Sequence, residues 1–262
     1  MEVAAYLSDK ASSVTIVGNT DIPFRTVLGP EIGSYLKQMH INKNVQFVME
    51  TQPKKFITND EGILIKVILE NGDELDADIV ILGIGVNPST DYIQGDDVKK
   101  DTRGYIIVDK CMKTNVDNIY AVGDIALFPL DLPSFEGIRD VNIGHWQIAN
   151  AHGKCAAMNI GLSAEIPLKT VPFFWTVQFG KSLRYAGSAP DGYDDIKYNG
   201  NLQDGKYAAF YMKNDIAVAV ATLGMDPVAA DFANLLLEGN ILRGENINDD
   251  TWRNKYSLLA KV

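Results

Sequence analysis

The run Ile119-Tyr120-Ala121-Val122 stops on Gly123-Asp124. No other stretch constrains the fold of this chain as much. A short apolar run of this kind reads as a buried strand, and the Asn115 to Asn118 stretch ahead of it reads as the turn that starts it. In open α/β sheets, ligands sit beyond the carboxyl ends of the strands. A glycine at that end lets the backbone approach a ligand closely, and Asp124 offers a short acceptor suited to sugar-like hydroxyls. A Gly-Asp pair after a strand is also an ordinary turn, so the rest of the chain has to decide between the two.

Met1 to Lys10 reads as an amphipathic helix with Val3, Ala4, Leu7 and Ala11 on one face. Ser13 to Val17 follows as a β-branched strand of the buried kind, ending on Gly18. A helix followed by a parallel strand is the second half of a βαβ unit. In a dinucleotide-binding unit the first strand and its Gly-x-Gly-x-x-Gly turn come just before such a helix. The expectation is therefore a fragment that begins just past that turn. The tip of the second strand is where an acidic residue normally grips the adenosine ribose of NAD. Here the tip is Gly18-Asn19-Thr20-Asp21, with Arg25 following. With Gly18 in the acidic position, a 2′-phosphate fits and Arg25 can pair with it. With Arg25 as a solvated helix-start residue, NADH is favoured, and that is the reading taken.

Leu28 to Met39 reads as a helix opened by Pro30, with Ile32, Tyr35, Leu36 and Met39 on one face. Val45 to Met49 is a strand. Lys55 to Thr58, Ile63 to Glu70 and Glu74 to Leu75 alternate apolar and polar residues, with Asn71-Gly72 as a hairpin turn, giving a small antiparallel sheet. Ile79 to Leu82 reads as a fully apolar parallel strand running into Gly83-Ile84-Gly85-Val86-Asn87-Pro88, where Gly83 and Gly85 permit close backbone approach. Gly104 to Asp109 is a short strand and Phe128 to Gly137 a proline-containing loop. Val141 to Ile160 is a helix with Asn142 as its cap. The stretch Gly144-His145-Trp146-Gln147 lies at its start, where unpaired N–H groups carry positive partial charge. His40 and His152 read as surface residues on helices.

From Pro167 onward, Phe173 to Gln178, Ser182 to Ala186, Ile196 to Tyr198, Tyr207 to Met212 and Ile216 to Thr222 are strands, with Asn214-Asp215 as a turn. A helix follows from Asp226-Pro227, the aspartate capping it. Trp175, in Pro-x-x-Trp, is either core or a contact to a bound ring.

Composition excludes several classes. A net charge of −10 opposes binding to nucleic acid or to anionic lipid. No apolar run approaches the roughly 20 residues of a membrane helix. Cys111 and Cys155 are far apart in sequence and form no Cys-x-x-Cys, which argues for reduced, semi-buried thiols rather than a disulfide framework or a metal site. Neither a Ser/His/Asp set nor a carboxylate pair is legible, so no catalytic acid–base residue is assigned.

Thr114 to Asp124 resembles the second flavin-binding motif of the two-dinucleotide-domain flavoprotein reductases, Thr-x-x-x-x-(hydrophobic)-(aromatic)-Ala-x-Gly-Asp. The resemblance extends through Met1 to Ala5, Ile84 to Pro88, His145 to Ala149, Phe174 to Thr176 and Phe179 to Gly187. Among these reductases the chain is most similar to the apoptosis-inducing-factor-like branch, whose full-length members also carry a Rieske iron–sulfur domain. The competing dithiol reductases have a C-terminal His-Pro motif, whereas none of the three histidines here precedes a proline. The resemblance implies an α/β, Rossmann-like two-dinucleotide-domain reductase, incomplete here, plus a C-terminal α+β domain. Residues 1–85 would form the NAD(P)-binding domain without its first strand, 86–165 the later part of the FAD-binding domain, and 166–262 the C-terminal domain. Asp124 would hold the FAD ribityl chain, with Gly123, His145, Trp146, Gln147 and Trp175 around the flavin. Gly83, Gly85 and Arg25 would serve the nicotinamide nucleotide. The implied activity is hydride transfer from NAD(P)H to FAD and electron release to an iron–sulfur or other acceptor, in the cytoplasm or mitochondrion. The alternative is a non-catalytic, apoptosis-linked interaction protein or an inactive fragment.

Overall fold

The computed structural model describes residues 1–162 and 164–253. Its contacts divide the chain into two compact units, one formed by Met1–Gly85 with Thr176–Lys181, the other by Val86–Trp175 with Ser182–Val262.

In the first unit, α1 (Glu2–Leu7) leads into β1 (Val14–Val17), and α2 (Arg25–Ile41) leads into β2 (Val45–Val48). Strands β1 and β2 pair in parallel, Val14 opposite Val45 and Val17 opposite Val48. Parallel strands need a crossover between them, and α2 supplies it. It is broken at Gly29 (φ 81°), so its regular part starts at Pro30, a residue suited to a first helical position. Ile32, Leu36 and His40 follow at four-residue spacing and are all buried. His40 is therefore not the surface residue expected. Its ring nitrogens lie 2.9 Å from the Leu36 carbonyl and 3.1 Å from the Met1 carbonyl, so the ring N–H has a backbone acceptor within reach despite burial. Gly33 is required by packing, since a Cβ there would lie 2.3 Å from the Pro23 carbonyl oxygen. The apolar face expected of α1 reduces to Ala4, because Val3 is 48% exposed.

Strands β3 (Pro53–Thr58), β4 (Leu64–Leu69) and β5 (Glu74–Asp76) form the expected antiparallel meander, turning at Gly72 with φ 94°. Ile79 to Leu82 departs from expectation. It is not a strand, and Ile79, Ile81 and Leu82 are 79%, 60% and 57% exposed. An apolar run becomes a strand only where a neighbour completes its ladder, and none of the described residues pairs with it.

In the second unit, β6 (Ile106–Ile107) runs parallel to β7 (Ala126–Leu130), which pairs antiparallel with β8 (Arg139–Val141). Strand β7 occupies part of the expected loop at Phe128 to Gly137. Ala126, Phe128 and Leu130 alternate inward, and that apolar periodicity prevails over Pro129. Ile119 to Val122 is held by a single bridge, Lys113 to Tyr120, and by the Ala121 N–H on the Met112 carbonyl, rather than as a full strand. Helix α3 (Trp146–Leu162) starts later than expected because Val141 belongs to β8.

Strands β9 (Phe173–Gln178), β10 (Lys181–Gly187), β11 (Asp195–Asn201), β12 (Lys206–Lys213) and β13 (Ile216–Leu223) form one sheet in the order β11-β12-β13-β10-β9. Asn214 and Asp215 both have positive φ, as a two-residue type I′ hairpin requires. Helix α4 (Val228–Leu237) covers this sheet. Asp226 makes no capping bond to it; it pairs with Arg184 at 2.8 Å instead. Phe128, Ile148, Phe210, Val220 and Phe232 belong to one buried cluster, so β7, α3, the sheet and α4 share a core.

Candidate functional site

Three ties hold the turn after Val122. Gly123 adopts φ 75° and opens a single 3₁₀ turn (Gly123–Ile125). Its N–H donates to Nδ1 of His152 at 3.2 Å. The Asn142 side-chain amide donates to the carbonyls of Asp124 and Ala126, at 2.9 and 2.8 Å. Asn142 thus anchors this turn rather than capping α3. Helix α3 approaches closely: a Cβ on Gly123 would sit 3.5 Å from the Ala149 methyl.

The Asp124 side chain stands apart from this scaffold. It is exposed, and among the described residues it makes no hydrogen bond or ion pair. The nearby backbone is at Gly144, where a Cβ would lie 3.9 Å from Oδ2. A free carboxylate on a rigidly tied turn is a ready acceptor for hydroxyls.

Gly144 leads into the start of α3, where the cap is His145. Its carbonyl accepts from the Ala149 N–H at 3.0 Å, and its Nδ1 lies 3.4 Å from the Gln147 N–H. Gln147 Oε1 is buried and has no partner among the described residues, a spare acceptor beside the helix end. Trp146 and Trp175 are 59% and 44% exposed and meet edge to face at 5.9 Å. Trp175 is therefore not a core residue. Behind it, Phe174 stacks on Tyr185 at 4.8 Å.

The structure thus places Gly123, Asp124, His145, Trp146, Gln147 and Trp175 in the second unit, while Gly83, Gly85 and Arg25 lie in the first. Gly83 and Gly85 sit in an exposed extended segment, with no other atoms within 4 Å of a Cβ built on either. Arg25 forks onto the Asp21 carboxylate, with Nε 2.6 Å from Oδ1. Among the described residues no cluster of His, Cys, Asp or Glu is suited to a metal, and no helix is long and apolar enough to cross a membrane.

Sequence reasoning placed His152 on the surface, yet it is fully buried, its ring against Phe128 at 4.4 Å. The signal was present in the spacing of Ile148, His152, Cys155 and Asn159, the buried stripe of α3. Burial pushes its pKa from 6.5 down to about 4, slightly opposed by Asp124. The unfolded chain therefore takes up this proton near pH 6.5 and the folded chain only near pH 4. Stability is full above that window and falls as pH drops through it. Urea unfolding at pH 7 and at pH 4.5 should show the wild type losing roughly 1–3 kcal/mol more than His152→Gln. Equal losses in the two proteins would refute this assignment. Burial also raises the thiol pKa of Cys111 and Cys155, both free.

Comparison with known proteins adds the following. The sequence profile described as "Pyridine nucleotide-disulphide oxidoreductase" matches residues 1–153. The chain is 42% identical over 247 residues to apoptosis-inducing factor 3 of Mus musculus, and 41% identical to that of Homo sapiens, in each case over 94% of this chain. It spans 40% of the length of these relatives. Among solved structures it superposes on the covalent putidaredoxin reductase–putidaredoxin complex with a TM-score of 0.87, at 23% identity, over 99% of this chain and 61% of that one. The ferredoxin reductase for the CYP199A2 system of Rhodopseudomonas palustris gives a TM-score of 0.83 at 23% identity, covering 96% of this chain and 60% of that one. These likenesses establish the Rossmann-like α/β fold.

Proposed function

We propose, from the premise that the chain belongs to the pyridine nucleotide-disulphide oxidoreductase family, that it is part of an FAD-dependent NAD(P)H oxidoreductase delivering electrons to an iron–sulfur acceptor. The observation that carries this reading is the unpaired Asp124 carboxylate on a turn tied down by His152 and Asn142. Residues 1–85 act as the nucleotide-binding domain, 86–165 as the FAD-binding part and 166–262 as the C-terminal domain.

The residues present suit a flavin dinucleotide. Gly123 allows close backbone approach, Asp124 would accept from ribityl hydroxyls, and Gln147 Oε1 has a free lone pair for a donor. FAD, when bound, supplies the hydride-accepting and one-electron chemistry; the protein supplies position and field. The amino end of α3, capped by His145, favours negative charge placed before it. Trp146 and Trp175 offer apolar surface that excludes water. No side chain has to donate or accept a proton for hydride transfer. Gly83 and Gly85 would line the nicotinamide side. The iron–sulfur acceptor is supported by the likeness to ferredoxin reductases, and a reducing compartment, cytosol or mitochondrion, by two buried free cysteines.

Arg25 bears on the choice of nucleotide. A guanidinium already forked onto Asp21 meets a 2′-phosphate only by giving up that pair. NADH is therefore expected to be the preferred donor, and Asp21→Asn should narrow the NADH/NADPH ratio of kcat/KM by about 5-fold. The test of the function as a whole is purification of the chain, flavin absorbance, and NADH-driven reduction of ferricyanide and of a ferredoxin. A folded, colourless protein that takes up no added FAD would overturn the reading and leave the non-catalytic interaction protein in its place.

A further inference from the structure

The turn that bears Asp124 is bonded at its first N–H to a histidine from a different element. Gly123 and His152 are 29 residues apart, and their bond is the side-chain tie between the turn and the body of α3. An N–H donor requires a bare ring nitrogen, so Nδ1 is the unprotonated one and the neutral ring carries its proton on Nε2. That Nε2 is buried and has no partner among the described residues. A buried polar atom left unmatched is a standing cost, and it is tolerated here in a ring that makes one bond, to Gly123. The ring has little freedom to turn away, packed edge to face on Phe128 at 4.4 Å. Apolar stripe residues of ordinary kind flank it on α3, Ile148 one turn before and Ala156 one turn after. A leucine there would satisfy the core and orphan the Gly123 N–H.

From this geometry we propose that His152 is a positioning residue for the flavin site: it fixes the Gly123 peptide, and with it the direction in which Asp124 presents its carboxylate. The ligand consequence rests on the flavin reading above; the hold on Gly123 does not. His152 touches no reacting atom. Its depressed basicity keeps it an acceptor at neutral pH.

Two readouts separate a positioning role from mere packing. In the 262-residue chain, amide hydrogen exchange of the peptide containing Gly123 should speed up at least 10-fold in His152→Leu. It should stay within about 3-fold of wild type in His152→Asn, whose Oδ1 is attached to Cγ as Nδ1 is and can accept the same N–H. FAD affinity, read by quenching of flavin fluorescence, should fall about 10-fold in His152→Leu and recover in His152→Asn, with both variants showing wild-type circular dichroism. Unchanged exchange at Gly123 in a folded His152→Leu overturns the inference. So does a folded His152→Asn that fails to restore it. Absence of FAD binding by the wild type would instead strike the flavin reading, while the exchange measurement still decides the role of His152.

Discussion

Asp124→Ala is expected to abolish flavin retention while leaving the fold as stable as before. The carboxylate is exposed and bonds to nothing among the described residues, so its loss should change the unfolding free energy by less than about 0.5 kcal/mol. Toward FAD it would lose charge-assisted hydrogen bonds, worth roughly 2–3 kcal/mol together, or about 30- to 150-fold in affinity. The split between the two measurements is what matters. A turn aspartate with a structural role would show the reverse pattern, a destabilised protein with unaltered affinity for whatever flavin it still bound. Asp124→Asn keeps one acceptor oxygen and should fall between the two. Titration with FAD followed by fluorescence, beside equilibrium unfolding, checks both halves. A folded Asp124→Ala with wild-type FAD affinity would remove the central support of the proposed function.

Gly187→Ala should be the most damaging single methyl that can be added to the described part of the C-terminal sheet. Gly187 lies at the end of β10 opposite Ala219 of β13, with φ 91°. A Cβ there would come within 2.4 Å of the Val218 carbonyl oxygen and 2.8 Å of the Ala219 Cα. Both are backbone atoms in a buried strand, so neither can swing aside as a side-chain end would. The left-handed backbone adds its own penalty of about 1 kcal/mol. Displacing β13 also disturbs Phe232 of α4, 3.2 Å from the same position. The sum should exceed about 4 kcal/mol, a large fraction of the 5–15 kcal/mol that ordinarily holds a domain together. Gly192→Ala is the control, since it shares the positive φ (74°) but has no other atoms within 4 Å. It should cost about 1 kcal/mol. Thermal unfolding of the three proteins distinguishes crowding from backbone strain, and similar losses in both variants would count against the packing argument.

Local chemistry was legible wherever the signal closed within a few residues. Asn71-Gly72 and Asn214-Asp215 turn where expected because positive φ selects such residues whatever surrounds them. The strands of the C-terminal sheet were legible from their β-branched and aromatic runs. Pro129 misled, because a proline marks a loop only until an alternating apolar face is strong enough to override it, as Ala126, Phe128 and Leu130 are. Asn142 and Asp226 were read as caps from their types. Each instead bonds to a group brought near by the fold, the carbonyls of Asp124 and Ala126 in one case and Arg184 in the other. The apolar runs Ile79–Leu82 and Ile119–Val122 announced strands, yet a ladder depends on a second strand that the run itself does not specify.

By itself, the sequence determined where the Gly-Asp turn lies and to which family the chain belongs, because both depend on residue types at fixed short spacing. Only the tertiary structure decided that His152, buried rather than exposed, accepts the Gly123 N–H and that the Asp124 carboxylate is left without a partner. A hydrogen bond between residues 29 positions apart has no local signature. It exists because α3 packs its apolar stripe against Phe128 and carries the imidazole to the turn.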